Sequence, residues 1–382
     1  MAVGTNTIAE HRLRIDMSEK IAELEPNASP LITLTKKMKR RRVVTNPEFS
    51  WMEQDPGNRW DAINNANGYD NEATVWAVDN AGYFRVGDIV QVPSTTEVVL
   101  VKNVDNTGNT ITVIRGWGGS TTAALENDDE PLVILGNANE EGAKLREIKT
   151  TEPVKKTNYT QILRTPVGVT NTLAATSTYG PKAMAYYRHL DGINHAIDME
   201  RTMWLGKKGK DIHNGKPRRT TGGILEFLTE NVLNVSASSG GSGGLTEQAF
   251  TEWLEDVFRY GSSEKILFAC GRLCTIIDLW AQNKLKTVPG ERTYGVKIKE
   301  YVSSHGTLFI VKHKLFEGPV YGGMGVILDM NNVAYCPLKG RDTKLLTGRQ
   351  DPDEDAVKDE YITELGVEVR LPKTHAIIKG VA

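Results

Sequence analysis

The sequence predicts an α+β fold organised around one long helix, with a small β-barrel-like module inserted ahead of that helix. Residues 178–205 keep the helical spacing of apolar side chains throughout. Short β-type runs recur between Trp76 and Gly136, separated by turn residues. From Gly222 onward, helix-type and strand-type segments are mixed. The chain has 382 residues, which is enough for two or three domains with a substantial core.

The charge balance and the cysteines limit the classes of function that fit. The chain has 46 basic and 48 acidic residues, so it lacks the positive excess of a protein whose whole surface binds nucleic acid. Cys270, Cys274 and Cys336 are too few and too scattered for a disulfide framework, which favours a reducing compartment. The sequence contains neither a secretory signal nor an apolar run of membrane-spanning length. We therefore expect a soluble protein without a membrane partner.

The first 42 residues predict an extended arm. They are mostly polar up to Pro30, and only Ile15, Ile21 and Leu24 suggest a short amphipathic helix. Such a segment cannot bury much of its own surface, so we expect a neighbour to order it. The arm ends in a dense basic run that fits a solvated segment, a nuclear localisation signal, or a contact for nucleic-acid phosphate or acidic patches on neighbouring copies. The run consists of Lys36, Lys37, Lys39, Arg40, Arg41 and Arg42.

The segment after the arm predicts a strand and then the β module. A strand begins around Phe49, and a polar loop follows at residues 54–69. Four short runs then alternate with Gly, Asn and Asp turn signals, as in a small barrel. Trp117 follows the third run, and we expect its ring to cover one end of the module's core. The four predicted strands are Ile89–Val92, Val98–Val104, Thr110–Arg115 and Leu132–Leu135.

The long helix is predicted over Thr178–Leu205, after a short charged helix within 137–149 and a long strand over 157–172. Ser177 or Thr178 can cap its start, and the glycines and lysines after residue 205 can end it. At about 1.5 Å per residue, the helix would span roughly 40 Å. Its apolar side, which we expect to lie across a flat partner surface, consists of Met184, Tyr187, Leu190, Ile193, Ile197 and Trp204.

Residues 206–221 predict a loop that carries a second, weaker basic patch. Gly222 and Gly223 then open a short helix, and residues 236–244 form a flexible loop rich in Gly and Ser. That loop lacks the Lys and Thr of a phosphate-binding P-loop, so no nucleotide cofactor is predicted. The candidate contact residues of the second patch are Lys207, Lys208, Arg218 and Arg219.

The rest of the chain predicts one mixed α+β domain. A helix over Leu245–Gly261 has Thr246 as its cap, and a second helix covers Leu273–Lys284. Glu360–Leu371 predicts a strand pair or one long strand. The shorter predicted strands are Ile266–Cys270, Val296–Tyr301, Thr307–Lys312, Gly325–Asp329 and Ala334–Leu338.

No catalytic set, metal site or cofactor motif emerges from the sequence. The sharpest enzyme hypothesis is a hydrolase with Cys336 as nucleophile and His305 or His313 as its base, but isolated histidines near strands are usually structural. An acidic stretch near the C-terminus lacks the glycine and the spacing of a calcium loop, so it fits a solvated loop better. It comprises Asp351, Asp353, Glu354, Asp355, Asp359 and Glu360.

The order of these parts and three stretches of sequence carry a family resemblance. The stretches are FRVGD at 84–88, TITVIRGWG at 110–118, and GNA at 136–138 with EEG at 140–142. The chain resembles the major capsid proteins of tailed bacteriophages, in a subfamily with a small β module inserted in an extended loop. The resemblance implies an arm at 1–42, an extended loop at 43–145 with the module at 76–136, a peripheral domain at 146–221 with a spine helix at 178–205, an axial domain at 222–350, and C-terminal strands at 351–382.

The resemblance implies a structural protein rather than an enzyme, with no cofactor. Such a protein forms hexamers and pentamers of an icosahedral head around double-stranded DNA, and it resides in the virion after assembly in the host cytoplasm. Assembly would need a separate scaffolding protein or a preceding segment absent from this numbering, and a portal and a decoration protein are the further partners implied. Both basic patches would then face neighbouring subunits or packaged DNA. A hydrolase with a Cys/His site and a basic nucleic-acid-binding module are the alternatives.

Overall fold

A computed structural model describes residues 29–54, 58–125, 128–142, 144, 152–177, 182–235, 244–280 and 298–381. The chain divides into two compact units, Met1–Trp51 with Lys155–Ala382, and Met52–Val154. Two predicted features lie wholly or mostly outside the described residues, the amphipathic segment at 15–24 and the Gly/Ser-rich loop. The charged segment at 137–149 lies partly outside them.

The helices of the described residues are α1 (Pro30–Lys37), α2 (Asn171–Ala175), α3 (Ala183–Leu205), α4 (Ile224–Phe227), α5 (Glu247–Phe258) and α6 (Gly271–Trp280). The strands are β1 (Glu48–Glu53), β2 (Trp60–Ala62), β3 (Val75–Ala77), β4 (Asp88–Gln91), β5 (Val98–Asp105), β6 (Thr110–Ile114), β7 (Pro131–Asn137), β8 (Val154–Tyr159), β9 (Gln161–Thr170), β10 (Gly209–His213), β11 (Lys216–Thr220), β12 (Val232–Asn234), β13 (Glu264–Ala269), β14 (Ile298–Val302), β15 (Thr307–Lys312), β16 (Gly325–Leu328), β17 (Val333–Pro337), β18 (Lys344–Leu346), β19 (Ala356–Val369) and β20 (Ala376–Lys379). Among these described helices, none is long and apolar enough to cross a membrane.

The unit Met52–Val154 is a small closed barrel. Its strands follow the order β2-β7-β4-β5-β6-β3, and a bridge between Ile63 and Val78 joins the two ends of the sheet. Closure leaves few exposed sheet edges, and alternate side chains point inward to fill the barrel. The four predicted strands are confirmed as β4 to β7. The large side chains of the core are Ile63, Trp76, Val78, Phe84, Val90, Val92, Val99, Val101, Ile111, Val113, Leu125 and Leu132.

Two predictions for this barrel are wrong. Residues 54–69 are not all loop, because β2 lies among them and pairs with β7. Trp117 does not cover the core: it is 39% exposed and follows Gly116, which takes a left-handed φ of 62° at a turn. Trp76 fills the core instead, because it lies on the inward side of β3 and is fully buried.

In the other unit, β9 and β19 form a long antiparallel ribbon. Their pairing runs from Gln161 opposite Leu365 to Thr170 opposite Ala356. β17 and β18 pair with the other edge of β19. The predicted strand over 157–172 is two strands, β8 and β9, because the extended strand is interrupted at Thr160. β19 is one continuous strand that includes Asp359 and Glu360, so the prediction of a loop at those two residues is wrong.

The long helix α3 packs on this ribbon, but its start and its buried face differ from the prediction. It begins at Ala183 with Lys182 in the N-cap position, so Ser177 is not its cap. The predicted apolar side is only partly covered in the subunit. Tyr187 is 38% exposed, and of that side only Trp204 is buried. The buried face consists instead of His195, Met199, Glu200, Met203 and Trp204.

Hydrogen bonds fix the rotation of α3 on the ribbon. His195 is 1% exposed, and its Nδ1 lies 2.8 Å from the Thr165 hydroxyl on β9. Its Nε2 lies 2.7 Å from the Thr363 hydroxyl on β19. Burying this ring without those partners would be costly, so the bonds hold this face of the helix against the ribbon.

Residues 206–221 form a hairpin rather than the predicted loop. β10 and β11 pair antiparallel, with His213 opposite Lys216. Between them, Asn214 and Gly215 have φ angles of 50° and 70°, as a type I′ turn requires. The Asn-Gly pair is therefore the sequence signal that could have predicted this hairpin.

Six strands after Gly222 form one sheet in the order β12-β20-β16-β13-β15-β14, whereas β17, β18 and β19 belong to the sheet that contains β9. The five shorter predicted strands are confirmed as β13 to β17. The first predicted helix is confirmed as α5, and the Thr246 hydroxyl accepts the Ala249 N–H at 3.2 Å as its cap. β20 has no counterpart in the prediction.

A buried histidine in this sheet region predicts a loss of stability in acid. Burial lowers the pKa of His375 to about 4, although its bond to the Arg370 carbonyl opposes the shift. The unfolded chain therefore binds one more proton than the folded chain between about pH 6.5 and pH 4. We expect the free energy of unfolding to fall by about 3 kcal/mol over that window through this group. Urea titrations at several pH values should show this dependence in the parent and in His305→Gln, an exposed control, but much less in His375→Gln. An unchanged dependence in His375→Gln would contradict the assignment.

Candidate contact surfaces

The described end of the predicted arm is a helix that packs into the body of the chain. α1 begins at Pro30, a residue that suits the first helical position. Leu31 is fully buried, and Ile32 and Leu34 are nearly so. The basic run therefore starts on an anchored helix, with Lys36 in its last turn.

One buried carboxylate holds the start of α1. Glu200 on α3 is 1% exposed, and it accepts the N–H of Leu31 at 2.8 Å and the N–H of Ile32 at 3.0 Å. These N–H groups have no partner within the helix, and the positive end of the helix dipole favours a carboxylate. The His313 Nε2 lies 2.8 Å from the same carboxylate. Glu200 thus joins α1, α3 and the end of β15.

The surroundings of His313, Cys336 and His305 decide the hypothesis of a Cys/His nucleophile site. His313 is fully buried, and both of its ring nitrogens have partners: Nδ1 accepts the Leu315 N–H at 3.1 Å, and Nε2 faces the Glu200 carboxylate. Cys336 is buried beside Glu368, and burial raises the pKa of its thiol. His305 is exposed. The three residues therefore do not make a nucleophile site, because the thiol is not activated and His313 is already bonded. Within the described ranges, no three His, Cys, Asp or Glu side chains are grouped to hold a metal ion.

The first basic run lies along the edge of β17. Residues 41 and 44 form parallel bridges to β17 and the residue after it. The Lys36 ammonium lies 5.3 Å from the centre of the Tyr335 ring. All three arginines of the run have partners in the subunit, and the side chains of Lys37 and Lys39 are exposed. The partnered pairs are Arg40–Asn331, Arg41–Asp342 at 2.7 Å and Arg42–Glu368.

The second basic patch lies on the β10–β11 hairpin. The Lys208 ammonium donates to a backbone carbonyl of β8 at 2.9 Å. Arg218 pairs with Asp211 at 3.0 Å across the hairpin. Lys207 is exposed, and Arg219 is half-buried. The four predicted residues therefore have different surroundings, and Arg219 lines a cavity.

That cavity is a polar cleft of about 450 Å³ between the hairpin and the start of β1. Lys155, Lys210 and Arg219 line it together with one carboxylate, Glu48. Three cations and one anion leave a net charge of +2. Within the described part of the chain, none of the three cations has an ion-pair partner. The cleft therefore presents positive charge that the subunit itself does not neutralise.

The sequence model of one protein family, described as SU10 major capsid protein, matches residues 2–382. The chain belongs to this family. The capsid protein is also 25% identical over 289 residues to a major capsid protein of Pseudomonas phage PaMx41. That match covers 72% of this chain and 67% of the relative. Its structure is similar to the capsid of a native GTA particle, with a TM-score of 0.53, 11% identity and full coverage of both chains. An empty GTA particle gives a TM-score of 0.51 at 12% identity, also over both full chains.

These findings confirm the predicted fold class and the principal functional interpretation. The capsid protein has the mixed α+β fold of tailed-phage capsid proteins. It is a structural component of a capsid shell and of the virion, and it is not an enzyme. The hydrolase alternative is therefore wrong.

Sequence reasoning missed Glu200 as the residue that positions the first basic run. Its partner Leu31 is 169 residues away in the chain, and no local pattern joins them. A polar residue among apolar ones on a helix normally indicates the exposed side. The one local hint is Pro30 at the start of a helix, because such a start needs a partner for its free N–H groups.

Proposed function

We propose that the capsid protein assembles as hexamers and pentamers into an icosahedral head that encloses double-stranded DNA. The family match over residues 2–382 carries this proposal, since a shell of one protein is built from symmetric rings of identical subunits. The GTA capsids are described as computed with C5 symmetry, which supports a five-fold ring here. The near balance of 46 basic and 48 acidic residues also lets copies pack without strong repulsion.

The proposal extends to assembly partners. We infer that a scaffolding protein and a portal direct assembly in the host cytoplasm, and that a decoration protein binds the outer surface. Family membership is the support for these partners. Expression with and without a candidate scaffolding protein tests the first of them, by the yield of closed shells.

Electron microscopy of the purified protein tests the central proposal. Negative-stain images are expected to show rings of five and six subunits and closed shells. A protein that stays monomeric at high concentration, with and without its scaffolding protein, would contradict it.

The exposed lysines of the first basic run are expected to assist DNA retention or subunit contact. Lys37→Gln combined with Lys39→Asn removes two charges and leaves the arginine pairs intact; Asn suits the left-handed φ of 55° at residue 39. We expect several-fold fewer DNA-filled heads, because phosphate contacts depend on such cations. The measurement is the ratio of full to empty heads in a density gradient, with Lys102→Gln plus Lys344→Gln as a matched control. Full heads at the parental level would reject this role.

A further inference from the structure

We propose that the basic cleft beside the β10–β11 hairpin binds the acidic turn 351–353 of a second copy of this chain. The inference rests on the proposed assembly and identifies one of its contacts. The cleft cations are Lys155, Lys210 and Arg219, and the turn presents Asp351 and Asp353.

Two of the three cleft cations share one face of the hairpin. Cross-strand partners share a face, and successive pairs alternate between faces. Lys210 lies opposite Arg219, and the next pair on that face is Ile212 with Pro217. Ile212 is 72% exposed. The face that lines the cleft is therefore basic near the body of the subunit and apolar near its tip, as an interface with a polypeptide would require.

The acidic turn is exposed and held in shape. The Glu354 N–H bonds to the Asp351 carbonyl at 3.1 Å, and the Asp355 carbonyl accepts the Asn171 N–H. Glu354 forms an ion pair with Lys358, so its charge is neutralised within the subunit. Asp351 and Asp353 are exposed, and Pro352 between them stiffens the turn. Two carboxylates thus project from a fixed backbone, which matches the net charge of +2 in the cleft.

These two surfaces cannot meet within one subunit. The hairpin base lies at one end of the β9–β19 ribbon, where the Thr221 N–H bonds to the Gln161 side chain. The acidic turn lies at the other end, directly before Ala356, which pairs with Thr170. Ten paired residues at about 3.4 Å each separate the two ends by roughly 30 Å. Complementary patches at opposite ends of a rigid ribbon fit a head-to-tail contact between copies, the type that closes rings.

A charge exchange tests the contact. The cleft variant carries Lys210→Glu and Arg219→Glu, the turn variant carries Asp351→Lys and Asp353→Lys, and the third variant carries all four changes. We expect at least a tenfold lower yield of shells from each of the first two, and recovery to within about twofold of the parent in the third. The control is Lys216→Glu with Lys102→Glu; Lys216 lies on the opposite hairpin face, and Lys102 is exposed on β5. Its yield should stay near that of the parent.

Each outcome has one meaning. No recovery in the fourfold variant overturns the contact, provided that its urea midpoint matches the parent. Full shell yield with reduced DNA content in the cleft variant also overturns it, and assigns the cleft to nucleic acid. A parent protein that makes no shells rejects the proposed function itself, and the inference falls with it.

A disulfide gives a second test that does not depend on reversed charge. A chain with Lys210→Cys and Asp353→Cys should form a ladder of cross-linked subunits on a non-reducing gel after oxidation of assembled shells. Each single variant should give no ladder. Absence of the ladder in the double variant, in shells that assemble normally, would overturn the contact.

Discussion

Replacing Glu200 by Ala should lower the free energy of unfolding by about 3 to 5 kcal/mol, the cost of removing one partner from a buried charged network. The N–H groups of Leu31 and Ile32 would then be buried without an acceptor. His313, which is also fully buried, would lose its carboxylate. Urea unfolding followed by circular dichroism measures the change.

Two variants make the Glu200 result specific. Arg201→Ala changes an exposed residue one position along the same helix, so it should cost less than about 0.5 kcal/mol. Glu200→Gln keeps one acceptor oxygen but loses the charge. Its loss of unfolding free energy should lie between those of Glu200→Ala and Arg201→Ala. Equal stability of Glu200→Ala and Arg201→Ala would show that the carboxylate does not hold α1.

The same substitution should also reduce assembly. α1 leads directly into residues 36–42, so release of its first turn frees the basic run from its position along β17. Subunits of the variant would then associate while the basic run takes several different positions. A closed shell requires the run to take the same position in every subunit. The shell yield of Glu200→Ala should therefore be lower than that of the parent in buffer without urea, where most of the variant is still folded.

The barrel shows which parts of the fold the sequence predicts well. Its strands are short runs rich in β-branched residues, and Gly, Asn or Asp turns follow three of the four, so every end of β4 to β7 lies within two residues of the prediction. α5 was equally predictable, because the Thr246 cap and the apolar stripe are both local signals. Local signals suffice where neighbours in sequence are also neighbours in space.

The long helix shows why the rest could not be predicted. Apolar spacing selected Tyr187 and Ile193 as the buried side, but the surface that covers α3 within the subunit includes two threonine hydroxyls. The polar His195 therefore faces inward and Tyr187 stays exposed. The partners of the first basic run are similarly remote: Asp342 is 301 residues from Arg41. The run itself is visible in the sequence, whereas the ion pairs of Arg41 and Arg42 within the subunit are not.

The second large effect is expected in the barrel, at a buried ion pair. The Glu97 side chain is fully buried and that of Arg115 is 6% exposed, and their atoms Oε1 and Nε are 2.7 Å apart. The guanidinium also lies 5.0 Å from the Trp76 ring centre. Burial raises the pKa of Glu97, but bonds from Arg115 and from the N–H groups of Ala123 and Gly116 outweigh it and hold the pKa below its ordinary value. The pair therefore ties the loop after β6 to the barrel wall.

Arg115→Met should lower the free energy of barrel unfolding by about 3 to 5 kcal/mol, because it leaves the Glu97 carboxylate buried without its cation. Glu97→Gln should cost a similar amount by stranding the guanidinium. The double variant should recover at least about 2 kcal/mol of the summed loss, since neither charge is then unpaired. Lys102→Met, at an exposed position on β5, is the matched control and should stay within about 0.5 kcal/mol of the parent. Near-ultraviolet circular dichroism of the full chain in urea can follow this transition, because the Trp76 ring lies against the guanidinium. If the two single losses simply add in the double variant, the residues act independently and the ion pair does not hold the loop in place.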